Sequence, residues 1–158
     1  MPENSTENPA ENVITEKYLI FSIREKRYAL PSKTISEVAA LEKVFPLPLV
    51  PDYVRGIINR YSVPYALIDL SFLLLKEISN AQKVIVLKED VDKLALLIDD
   101  VVDIADLPSD KLMKIEQEEM VLSGSVNAFF EWKDNQIFCI EIGELVSRIK
   151  QDFDQKES

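Results

Sequence analysis

The chain has 158 residues, 47% of them hydrophobic and 29% charged, a balance suited to one globular domain or two small units sharing a core. Acidic residues outnumber basic ones 28 to 18, and the scattered lysines and arginines form no patch, so a net charge of −10 repels nucleic acid. The absence of histidine removes the commonest general base, the commonest metal ligand and every Ser-His or Cys-His nucleophile, while the single cysteine, Cys139, permits no internal disulfide and fits a reducing compartment.

Residues 1–16 are polar, contain two prolines and have no apolar period, which predicts a disordered tail. They lack the basic stretch and apolar centre of a secretory signal, and no segment approaches the ~18 apolar residues that span a bilayer. The expected location is the cytoplasm, without membrane insertion.

Short strands follow. YLIFSI (18–23), the charged turn REKR and YAL (28–30) predict a hairpin. A second hairpin is expected over VRGIINRYSVPYALIDL (54–70), interrupted by the polar group Arg60-Tyr61-Ser62. Ser71 is placed to cap a short helix through FLLLKEI. KVIVL (83–87) and LALLI (94–98) predict a third hairpin; AFFEW, the turn KDN and QIFCIEI predict a fourth, in which the alternation marks Cys139 as a packing residue. A second helix is expected from near Gly143, with Ile142, Leu145, Val146, Ile149 and Phe153 on one stripe.

The chain also resembles itself. Tyr28–Leu41 aligns without a gap to Leu94–Leu107, Gly56-Ile57-Ile58-Asn59 matches Gly124-Ser125-Val126-Asn127, and each half closes on an apolar strand ending in an acid, followed by a helix. That order predicts two related β units, built as small barrels because closure removes exposed sheet edges.

Little in the chain suits catalysis. Three glycines cannot build a phosphate loop, and the serines have no histidine to activate them. The acids from Asp99 to Asp106 lack the glycine turn of a calcium loop and read as a solvated face; a metal-dependent sensor or hydrolase is the weak alternative. No enzyme and no cofactor is expected. The segment Val44–Pro51 is apolar, charge-free and stiffened by three prolines, either a lid packed on the core or one wall of a groove for a partner helix. Beside it, Thr34–Val38 either faces the core or offers alternating apolar and acidic contacts.

The sequence FSIREKRYAL, ISEV, VPDYVRGIIN, ALIDL, KVIVL and LALLIDDVVDI resembles the CheW-like domain from about Tyr18 to Ile149. Its most specific marks are Pro51-x-Tyr53-Val54-x-Gly56-Ile57-x-Asn59 and the later Ile68-Asp69-Leu70. The resemblance implies a mainly β fold of two five-stranded SH3-like barrels around a shared hydrophobic core, with short helices. The units would be about 17–80, with C-terminal contributions, and 81–152, before a tail at 153–158. It also implies a non-enzymatic adaptor that couples chemoreceptor cytoplasmic tips to the histidine kinase CheA and joins rings of CheW-like proteins. Receptor contact is expected at Ile35, Glu37, Val38 and the wall Phe45–Pro51 with Leu47, and kinase contact through residues flanking Gly56, among Arg55, Asn59, Arg60 and Tyr61, and through the second barrel's exposed apolar strands. The family pattern reads Asn-Leu-Arg-Gly where this chain has Asn59-Arg60-Tyr61-Ser62, so Tyr61 stands at the arginine and Ser62 at the glycine. Loss of that glycine predicts a turn displaced toward Pro64, and the one-residue offset predicts that Arg60 faces the wrong way to replace the arginine. Such a departure points to an adaptor with altered partner choice.

Overall fold

The computed structural model describes residues 13–115 and 125–157. Eleven strands and two helices alternate in chain order: β1 (Thr15–Ile23), β2 (Lys26–Pro31), β3 (Ile35–Ala40), β4 (Val54–Arg60), β5 (Val63–Asp69), α1 (Leu70–Leu75), β6 (Lys83–Leu87), β7 (Leu94–Ile98), β8 (Asp100–Pro108), β9 (Met113–Lys114), β10 (Val126–Trp132), β11 (Asn135–Ile140) and α2 (Ile142–Glu157). β1 thus includes Thr15 and Glu16 of the segment read as a tail, and α2 carries residues 153–157 that were expected to lie beyond the domain.

The strands form two sheets, β8-β1-β2-β11-β10-β9 and β3-β6-β7-β5-β4. Substituting β3 for β8, β6 for β1, β7 for β2, β5 for β11 and β4 for β10 turns one order into the other. The pairings agree as well, since β2·β11 and β5·β7 are parallel and the other equivalent ladders are antiparallel. The internal repeat is real, but the units do not divide at residue 80. Hairpin β1–β2 lies in the sheet built mostly from the second half of the chain, and hairpin β6–β7 lies in the sheet of the first.

Equivalent positions also differ from the Gly56–Gly124 match. β4 and β10 share one burial pattern, and their ladders shift register at Val54/Gly56 and Val126/Ala128. Gly56 thus corresponds to Ala128, while Gly124 lies outside the described residues.

Three clusters make the core. One is built on one face of each sheet: Tyr18, Ile20, Ala29, Phe130 and Ile137 in the first, Ile58, Tyr65, Leu67, Val84 and Val86 in the second. The third lies between the sheets and takes Leu19, Phe21, Tyr28, Ile68, Ile85 and Leu96 with Leu73 of α1 and Leu145 and Ile149 of α2. Burial on both faces explains why β7 reads as the unbroken apolar run LALLI. Cys139 packs inside the first sheet, where burial pushes its thiol up to about 12.

Asp69, rather than Ser71, caps α1: its Oδ1 accepts the Phe72 amide at 3.2 Å. The equivalent Glu141 accepts the Gly143 amide at 2.9 Å at the start of α2. Neither sheet closes into a continuous ladder. Instead, the chain leaving β3 crosses to the opposite edge, where Phe45 and Ile57 exchange two backbone hydrogen bonds of 2.8 Å. In the first sheet β9 plays that part against β10.

Candidate protein-interaction face

The strap between β3 and β4 is anchored at its ends and bare in its middle. Val44 packs on the second sheet's interior and Val50 on the shared core, yet Phe45 through Leu49 are all exposed, Phe45 by 42% and Leu49 by 77%. The ends are therefore packed as a lid, and the middle is an exposed apolar surface. Two prolines and the β-bridge at Phe45 hold this middle in place, and Leu49 turns with a left-handed φ of 58°. Lys43 stands 5.0 Å from the centre of the Phe45 ring.

Gly56 lies under the strap. A Cβ there would fall 2.3 Å from the Phe45 carbonyl oxygen, and its φ of 142° disfavours any side chain. Its side offers no surface, so Gly56 shapes the face without forming part of it. Arg55 is likewise drawn inward. Its guanidinium donates to Asp69 Oδ2 at 2.8 and 3.1 Å and to the Ser79 carbonyl at 2.7 Å, while Asp69 Oδ2 also accepts the Ser79 amide at 3.1 Å. Asp69 is completely buried, and the two guanidinium bonds, the Ser79 amide and the Phe72 amide compensate its charge.

The polar group at 60–62 does not displace the turn. Arg60 pairs with Val63, leaving Tyr61 and Ser62 as a two-residue turn with φ of 53° and 66°. That is the twist a tight hairpin needs, adopted here without glycine. Pro64 faces Asn59 in the ladder and precedes the first β5·β7 partner, Ala66, so its missing N–H removes no bond to β7.

Arg60 also finds an acid within the fold. It forks onto Glu37, Nε to Oε2 at 3.1 Å and Nη2 to Oε1 at 3.0 Å, and this contact raises its pKa. A bulge between Ile35 and Glu37 makes the meeting possible. Ile35 and Val38 pair with Leu87 and Ile85, on the shared-core side, whereas Glu37 pairs with Val86 and points to the opposite face. Hence Ile35 and Val38 share a face, while Glu37 pairs with Arg60, which lines a small cleft at the strap's edge with Asn59 and Phe45. Tyr61 projects beside it, 83% exposed, with the Arg60 guanidinium 5.3 Å from its ring centre.

The other unit repeats this arrangement in different chemistry. Asp103 stands at the Glu37 position and Trp132 at the Arg60 position; the indole N–H donates to Asp103 at 3.0 Å, as does Lys133. These contacts hold Asp103 down at about 2. Lys133 and Asp134 form the matching turn with φ of 50° and 66°. Sequence reading aligned Glu37 with Asp103 but missed their partners, because the repeat had been carried past them in the wrong register. The remaining acids each have their own contact: Asp100 with Lys83, Asp106 with Lys17 and Asp99 with the Arg24 amide. Among the described residues no cluster of three acids or cysteines converges as a metal site, and no helix is long and apolar enough to cross a membrane.

Two pseudo-equivalent SH3-like units with a common core define a two-sheet β protein. A model of the CheW-like domain matches residues 17–150, and the chain belongs to that family. No curated protein matches it in sequence. Among solved structures it is similar to the scaffolding protein TtCheW from Thermoanaerobacter tengcongensis, with a TM-score of 0.72 at 20% identity over 80% of this chain and 89% of that one. At that identity the likeness is one of fold.

Proposed function

We propose that this chain is a non-enzymatic chemotaxis adaptor, acting in the cytoplasm at receptor arrays, that couples chemoreceptor cytoplasmic tips to the histidine kinase CheA. Membership of the CheW-like family supports the class. The observation that carries the reading is the exposed apolar run Phe45–Leu49 beside the exposed Tyr61, held in place by proline and a β-bridge. An anchored apolar surface loses little entropy on binding, and aromatic anchors dominate most interfaces.

In this reading Phe45, Leu47 and Leu49, expected from the resemblance to meet the receptor, instead join Asn59, Arg60 and Tyr61 in contact with the kinase domain or a neighbouring CheW-like protein, and Ile35 and Val38 contact the receptor helix. Glu37 orients Arg60. Arg55 and Gly56 act through the fold. Calorimetry against the kinase's regulatory domain and against a receptor cytoplasmic fragment tests the proposal, and binding to neither overturns it. Leu49→Ser and Tyr61→Ala should each weaken kinase-domain binding about tenfold with an unchanged circular dichroism spectrum.

Tyr61 also favours a narrower version, an adaptor specialised for another chemosensory or motility pathway. A solvent-exposed aromatic in a strained turn binds by burial rather than by ion pairing. Affinity that falls steeply with salt and ignores Tyr61→Ala would argue against it.

A further inference from the structure

The two halves of the chain complete each other. Residues 15–75 supply β1–β5 and α1, and residues 83–157 supply β6–β11 and α2. Four ladders join the halves, β1·β8, β2·β11, β3·β6 and β5·β7, and each unit borrows a hairpin from the other half. The shared core is also built across this division. All of these contacts would be the same if the two halves belonged to different copies. Only the connection at residues 76–82 distinguishes the single chain from a reciprocal pair.

That connection has no regular structure and is pinned at several points. It starts with a reversal at Lys76, which takes a left-handed φ of 62°. The Ser79 amide and carbonyl are held by Asp69 and Arg55, the Ser79 hydroxyl accepts the Ala81 amide at 2.9 Å, and Arg24 donates to the Ile78 carbonyl at 2.7 Å. A strained reversal tied down by named contacts is the kind of hinge at which domains exchange when the ties or the length are lost.

We propose that residues 76–82 form a hinge through which two copies of this chain can exchange halves, and that the Asp69–Arg55 clamp on Ser79 favours the closed single-chain form. The partner is a second copy, and the exchanged dimer keeps both units intact, each with its own strap face.

Lys17 and Asp106 make the test direct. They face each other across the β1·β8 ladder, their side chains 2.8 Å apart, and belong to different halves. In full-length chains carrying Lys17→Cys and Asp106→Cys, an oxidised bond is within one chain if the protein is closed and between chains if halves are exchanged. Wild-type hinge length should give a species near 18.1 kDa with an intrachain bond. Deleting Glu77–Ala81 should give a folded dimer of twice that mass with interchain bonds on a denaturing gel. A folded monomer, or a dimer whose bonds stay intrachain, overturns the proposal. If the deletion does not fold, Arg55→Ala at full hinge length decides: after refolding at high concentration its interchain fraction should exceed wild type severalfold, and equality overturns the proposal.

Discussion

Tyr28 carries its ring into the shared core, 6.3 Å from Phe21 and 6.1 Å from Phe138 between ring centres, and its buried hydroxyl has no hydrogen-bond partner among the described residues. Burial pushes that hydroxyl up to about 12. A buried unmatched polar atom destabilises by about 1–3 kcal/mol, so Tyr28→Phe should keep the ring contacts and raise stability by about 1 kcal/mol, read as a higher urea midpoint with unchanged slope. Asp103 presents the opposite case, a carboxylate whose charge is favoured. Its pKa falls from 3.8 unfolded to about 2 folded, with the indole of Trp132 as the largest cause and Lys133 next. A depressed carboxylate contributes stability above the unfolded value and loses it as pH falls through the folded one. Trp132 is the sole tryptophan, so its emission should shift between about pH 4 and pH 2, and Asp103→Asn should abolish that step. Emission that is flat across this window in the wild type would count against the bond.

At the scale of elements, the turn at Tyr61-Ser62 and the strap over Gly56 set the geometry of the face. A left-handed conformation costs an ordinary L-residue about 1–2 kcal/mol, partly offset by the greater unfolded freedom of glycine. Ser62→Gly should therefore stabilise by up to about 1 kcal/mol in thermal melts without moving the turn. Gly56→Ala should destabilise by at least ~3 kcal/mol, because its Cβ meets strap backbone rather than a side chain that can yield. Hairpins β1–β2, β6–β7 and β10–β11 were legible in the sequence because alternation and turn residues are local signals, and α2 was legible from its apolar stripe. The α1 cap was missed because Asp69 reads first as a strand end. The sheet each hairpin joins was not legible, since that choice rests on the parallel β2·β11 and β5·β7 ladders between distant residues. Within the face, the charge-free strap stood out in composition. The Glu37–Arg60 pair did not, because a bulge in β3 decides which way Glu37 points.

For the whole molecule, interleaving has a thermodynamic consequence. If residues 17–80 and 81–152 were separate domains, each could unfold with its own midpoint, because few contacts would cross the boundary. Instead, both sheets and the shared core draw strands from both halves. Removing hairpin β1–β2 takes β1 from beside β8 and β2 from beside β11 and uncovers Ala105, Ile137 and Cys139; removing β6–β7 does the equivalent to β3 and β5. Neither unit then keeps a closed core, so partial unfolding exposes apolar area with little compensating chain entropy. Urea unfolding should consequently be a single two-state transition. Trp132 fluorescence reports the first sheet, and a tryptophan introduced as Tyr65→Trp with Trp132→Phe reports the second, since Tyr65 lies in that sheet's interior. The midpoint of each probe should coincide with that from far-UV circular dichroism on the same variant. Resolved midpoints for the two methods within either variant would mean that one unit survives without its borrowed hairpin, and the interleaved core would then be less cooperative than its ladders imply.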